Sequence, residues 1–194
     1  MNAGDRQSIN SMPACLRHVV DPPPVALLLR WIGELERAGI TVALGGSGLL
    51  AALGLGDRVR DWDLTTDAPF ERVVAALGDA PHRAFGSDAI HADRKLALAD
   101  GALEVIVGFA FHGPSGPVHI PTRVSARPDG IPLGSPEGWA VAYHLLGRAA
   151  KAESLLGYLS RRGVDPAALA AMLGQPIPAG LAARLRALPT SRTT

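Results

Sequence analysis

One short stretch constrains this chain more than any other. It is Val42-Ala43-Leu44-Gly45-Gly46-Ser47-Gly48, followed about a dozen residues later by Arg60-Asp61-Trp62-Asp63-Leu64. The first half reads as a buried strand that enters a glycine turn and a helix start. The second half reads as a strand with carboxylates at alternate positions. Successive side chains of a strand point to opposite faces, so Asp61 and Asp63 project together while Trp62 and Leu64 enter the other layer. Two carboxylates that close repel each other unless a cation lies between them or one holds a proton. Paired oxygen donors suit a hard cation such as Mg2+. The Gly45-Gly46-Ser47 turn offers backbone N–H groups at a helix N-terminus, an arrangement that suits a phosphate.

Gly45-Gly46-Ser47 followed by Asp61-Trp62-Asp63-Leu64 resembles the signature of the DNA polymerase β-like nucleotidyltransferase superfamily, and more closely its small antibiotic-modifying and toxin-type members. That signature is Gly-Gly or Gly-Ser after a hydrophobic residue, a short helix, then Asp-x-Asp, with a third acid on a later strand. Leu103-Glu104-Val105 matches the third acid. The resemblance spans residues 40–110 and, more loosely, the helical tail. It implies a nucleotidyltransferase fold and the transfer of a nucleoside monophosphate from ATP or another nucleoside triphosphate to a hydroxyl. The acceptor stays open between a small molecule, tRNA and a protein. It further implies that Asp61, Asp63 and Glu104 hold Mg2+ (or Mn2+) and carry catalysis. Gly45, Gly46 and Ser47 would bind the nucleotide phosphates, together with Lys151 and with Arg148 one turn away. At that position related enzymes often have Lys-Asp, whereas this chain has Lys151-Ala152-Glu153. The alternative is a protein of the same fold that binds a nucleotide or a partner without catalysis.

The order of elements leads to the same architecture: an α/β (α+β) chain with a mixed sheet flanked by helices and a helical C-terminal part. Asp21-Pro22-Pro23-Pro24 opens a helix whose Val25, Leu28, Leu29, Ile32 and Leu35 recur at helical spacing, with Gly39 as its stop. Strands are expected over 40–44, 59–66, 102–111 and 118–126, with shorter pieces near 82–85 and 94–99. A short helix is expected over 47–53 and another after Asp67-Ala68-Pro69. Within the 102–111 strand, Val105, Val107 and Phe109 should share one face and Glu104 and Ile106 the other. From Ser135 the chain turns helical, with Ser135-Pro136-Glu137 as an N-cap, a proline at N1 and an acid in the first turn. The expected divisions are a loose segment over 1–20, an α/β nucleotidyltransferase unit over 21–134, and a helical region over 135–190 that packs on the cleft.

Charge and cysteine usage narrow the partners. The formal net charge is +1, which gives no reason for strong nonspecific binding to nucleic acid. Residues 145–194 hold seven Lys or Arg and two Asp or Glu, whereas residues 1–144 are net −4. The tail thus brings positive charge to an acidic site, either as phosphate ligands or as a solvated helical surface. Arg58 and Arg60, beside the aspartates, can meet nucleotide or neutralise the carboxylates. The histidines lack zinc spacing and read as turn or surface residues. Cys15 is the only cysteine, with no histidine pattern to activate it. Neither a membrane span nor a signal peptide is evident, so the expected setting is cytoplasmic.

Overall fold

The computed structural model describes residues 12–113 and 115–191. A seven-stranded mixed sheet forms the centre, in the order β3-β4-β5-β2-β1-β9-β8. The strands are β1 (Ala43–Leu44), β2 (Trp62–Thr66), β3 (His82–Phe85), β4 (Arg94–Leu98), β5 (Leu103–Val107), β8 (Val124–Ala126) and β9 (Leu133–Gly134). A separate antiparallel hairpin is made by β6 (Ala110–Gly113) and β7 (Gly116–His119). The helices are α1 (Val25–Arg37), α2 (Gly46–Ala52), α3 (Phe70–Leu77), α4 (Pro136–Leu145), α5 (Ala149–Arg162), α6 (Pro166–Leu173) and α7 (Ala179–Arg186). No helix among the described residues is long and apolar enough to cross a membrane.

Register gives the sheet two unlike faces. β2 and β5 run parallel with Trp62 opposite Leu103, Asp63 opposite Glu104 and Leu64 opposite Val105. β4 then pairs antiparallel to β5, with Leu98 beside Leu103 and Leu96 beside Val105. Trp62, Leu64, Leu96, Leu98, Leu103 and Val105 therefore form one apolar face, and each is buried. The opposite face carries Asp63, Glu104, Ile106 and Lys95. Burying the apolar side chains is the main favourable contribution to folding. A one-residue slip between β2 and β5 would exchange the faces, which fixes where the acids stand.

The core runs without a break into the C-terminal helices. Ser135 caps α4 by accepting a hydrogen bond from the Gly138 N–H at 3.2 Å. Its Oγ donates to Glu137 Oε2 at 2.6 Å, and Glu137 Oε1 accepts from the Asp165 N–H at 2.8 Å. That buried carboxylate ties the start of α4 to the start of α6, so the cap residues settle the angle at which the tail docks.

Three expectations change. The strand foreseen over 102–111 is two strands, because Gly108 has φ +65°, a conformation that glycine adopts at little cost. The Gly108 N–H donates to the Thr66 carbonyl at 2.8 Å and closes the β2–β5 ladder. Phe109 then leaves the Val105 face and enters the acid-bearing cleft. The strand foreseen over 118–126 also divides, around Pro121, which cannot donate to a ladder. Residues 1–11 of the segment expected to be loose lie outside the described residues, but 12–20 are packed. Leu16 and Val19 are buried, and the Val20 N–H donates to the Asp57 carbonyl at 2.8 Å.

Candidate active site

A cavity of about 500 Å³ opens on the acid-bearing face, lined by Gly46, Ser47, Asp61, Asp63, Glu104, Arg148 and Lys151. Seven of the eight residues singled out from sequence thus meet in one space, although they span more than a hundred positions of the chain. Gly45 stands behind the wall: a Cβ there would overlap the indole of Trp139. Gly46 has φ +53°, and a Cβ on it would overlap the Asp63 carboxylate. The glycine pair is required sterically, one residue by a helix of the tail and the other by the aspartate. The Gly45 N–H also donates to the Asp63 carbonyl at 2.8 Å, which clamps the turn to β2.

Among the described residues, nothing donates a hydrogen bond to the Asp63 carboxylate. Burial pushes it from an ordinary value of 3.8 up to about 7, and the Asp61 and Glu104 carboxylates add to the rise. Asp61 receives only a long contact from Arg60 Nη2 at 3.4 Å. Glu104 Oε2 is paired with Lys95 Nζ at 3.6 Å. Among the described residues no three His, Cys, Asp or Glu side chains are grouped so as to hold an ion. Lys95 thus engages the third acid of the set expected from sequence. Asp61 and Asp63 are the available donors. Two oxygen-only donors, one of them without a hydrogen-bond donor among the described residues, fit a hard divalent ion.

The Asp63 shift makes stability depend on pH. The folded-state value lies above the unfolded one, so the stabilisation is complete below about pH 4 and is lost as pH rises through about 7. A full shift of that size would be worth about 4 kcal/mol. Asp63 keeps one side open to the cavity, so we expect about 2 kcal/mol, on the principle that solvent screens such a charge. Thermal melts in a chelating buffer should thus show a greater loss between pH 5 and 8 for the native chain than for Asp63→Asn, and Mg2+ should remove the difference. Parallel pH profiles would show that the carboxylate is ionised freely in the fold.

The tail supplies the opposite wall. Burial draws the Lys151 ammonium below its ordinary value, and Arg148 adds to this, while Asp63 and Asp61 act against it. Its Nζ stands 5.2 Å from the Tyr143 ring centroid. The Tyr143 hydroxyl is buried and has no hydrogen-bond partner. Phe109, Trp139 and Tyr143 form a ladder, with centroids 4.8 and 5.6 Å apart. Sequence reading passed over Phe109, Trp139 and His91 as cavity residues. The histidine was expected in a turn or on the surface, and its loop brings it to the cavity instead. Cys15 fits the sequence reading: burial and Asp129 push its thiol up to about 11, away from reactivity. A larger cavity of about 850 Å³ lies beyond Glu104, bounded by Arg30, Trp31, Arg83 and Phe85. It includes neither aspartate, so volume does not identify the site.

No family model matches the chain, and no curated protein matches it. Two solved structures are similar to it. One is a protein from Thermotoga maritima assigned as a nucleotidyltransferase, 24% identical, with a TM-score of 0.49 over 75% of this chain and 98% of that one. The other is the antibiotic-resistance factor ANT(2'')-Ia, 15% identical, with a TM-score of 0.49 over 84% of this chain and 90% of that one. These are distant likenesses, and the functional reading rests on the cavity.

Proposed function

We propose that the chain is a nucleotidyltransferase that moves a nucleoside monophosphate from a nucleoside triphosphate to a hydroxyl acceptor. One observation carries the reading. Asp63, whose carboxylate burial pushes up to about 7 and to which no described residue donates a hydrogen bond, stands beside Asp61 and in register with Glu104, in a cavity whose other wall is Ser47, Arg148 and Lys151. A carboxylate without a donor, held beside two others on a partly buried sheet face, calls for a cationic ligand to relieve it.

In this reading Asp61 and Asp63 hold Mg2+ or Mn2+, which when bound supplies charge stabilisation at the phosphoryl oxygens. Ser47 Oγ and the Gly46 N–H contact the triphosphate. Arg148 and Lys151 take the charge of the β- and γ-phosphates. The acceptor oxygen attacks the α-phosphorus and its proton passes to Glu104. The bond from the α-phosphorus to the bridging oxygen breaks, and pyrophosphate leaves toward the cationic wall. The Lys95 contact holds the Glu104 carboxylate in place before the acceptor arrives.

Titration of the protein with ATP and Mg2+, joined to an assay for pyrophosphate release and label transfer from α-labelled ATP, tests the proposal. Metal-dependent binding with turnover is expected. Binding without turnover toward any hydroxyl would instead make this a nucleotide-binding protein. Lys151→Ala should weaken triphosphate binding by about 1.5–3 kcal/mol, the scale of a hydrogen bond to a charged group, with little change in melting temperature. An unaltered Kd would place the phosphates on Arg58 and Arg60.

A further inference from the structure

The cavity is polarised along its strands. Arg58 and Arg60 lead into Asp61, and Lys151 borders the same small recess as Ser47 and Arg58. Ile106, Phe109 and His91 lie at the other end, past Glu104 in the strand direction. Phosphoryl transfer sets attacking and leaving oxygens roughly in line. With pyrophosphate at the cationic end, the acceptor approaches from the aromatic end.

That end has one free polar handle. Asp88 Oδ2 lies 2.9 Å from His91 Nδ1, and Asp88 Oδ1 accepts from the Ile90 and His91 N–H groups at 2.7 Å each. The carboxylate is thereby locked. Being an acceptor only, it requires the proton of the neutral ring on Nδ1 and leaves Nε2 as an acceptor. No described residue hydrogen-bonds to Nε2. The ring is steadied by Phe111, with centroids 5.6 Å apart, and its side chain is 22% exposed. Lys95, which also lines the cavity, is already paired with Glu104.

We propose that this aromatic end is the acceptor subsite, that it takes a compact, largely apolar or planar hydroxyl compound, and that His91 Nε2 accepts a hydrogen bond from that compound. The inference rests on the nucleotidyltransferase reading and deepens it. Ile106, Phe109 and Trp139 line this end with apolar side chains, and the carboxylate nearest the ring, Asp88, is already engaged by His91 and two N–H groups. Asp88 is a positioning residue that acts through the histidine.

The test uses α-labelled ATP, Mg2+ and four probes: N-acetyltyrosinamide, cyclohexanol, the polycation kanamycin and total tRNA. Transfer is expected to the first two, with His91→Ala raising the acceptor KM about 10-fold, the scale of one hydrogen bond, and leaving the KM for ATP within about 2-fold. Ring 15N spectra should show Nδ1–H in the native chain and the other tautomer in Asp88→Asn, a change that a merely structural aspartate would not produce. Transfer confined to kanamycin or tRNA overturns the proposal. So does an acceptor KM that ignores His91→Ala but responds to Arg83→Ala, which would move the acceptor to the larger cavity. Bound ATP with no transfer to any probe overturns the acceptor class alone, whereas failure to bind ATP removes the nucleotidyltransferase reading beneath it.

Discussion

Asp63→Asn should abolish turnover and at the same time stabilise the metal-free protein above neutral pH. The two effects share one cause. The carboxylate is held among Asp61, Glu104 and buried surface, without a donor, so ionising it without a cation is costly. Asparagine keeps the shape and removes the charge. If Asp63 holds the metal as proposed, losing that ligand removes several kcal/mol of charge stabilisation in the transition state and lowers kcat by at least ~10³-fold. Removing the repulsion returns about 2 kcal/mol at pH 8, or roughly 4–8 °C in Tm for a chain of this length. The Mg2+-induced rise in Tm expected of the native chain should be absent in the variant. Turnover within a few-fold of native would remove Asp63 from the metal site. A lowered Tm at pH 8 would mean that the carboxylate is satisfied in the fold and that its raised value has another origin.

The legible part of the site was the part written in local spacing. Alternation across Asp61-Trp62-Asp63 put the aspartates on one face and Trp62 in the core, and Trp62 is fully buried. Ser135 and Asp165 were readable as caps because an N-cap needs only a side-chain oxygen three residues from a free N–H. What was hidden depends on pairing between distant segments. The Lys95–Glu104 contact arises because β4 lies antiparallel to β5 with Lys95 opposite Ile106, a register that neither segment encodes alone. Phe109 was assigned to the wrong face because strict alternation was carried through Gly108, where the left-handed backbone resets it. Trp139 lies in a stretch, Pro136 to Tyr143, of which every residue is buried. On a helix covered all round, periodicity cannot say which side chain faces the cleft. The glycine pair was located correctly and explained incompletely: the turn and helix start were legible, whereas the ring and the carboxylate pressed against it were not.

Gly46→Ala should cost both stability and turnover. It meets two independent costs. A non-glycine residue at φ +53° loses roughly 1–2 kcal/mol through contact of its Cβ with the backbone. The new Cβ also falls on the Asp63 carboxylate, which sits on β2 between its neighbours and cannot withdraw without disturbing the ladder to β5. Relief of such overpacking typically costs a further 1–3 kcal/mol, so a total near 3 kcal/mol is expected, with turnover reduced at least ~100-fold because Asp63 is driven from its place. Gly54→Ala separates the two costs. Gly54 has φ +71° and open space where a Cβ would go, so it should lose only the backbone contribution, about 1 kcal/mol, and keep full activity. Asp63→Ala in the Gly46→Ala background removes the overlap, and a double-mutant cycle should return about 2 kcal/mol of coupling between the positions. Equal losses at Gly46 and Gly54, with no coupling to Asp63, would show that the glycine serves the turn alone and that the aspartate is not held against it.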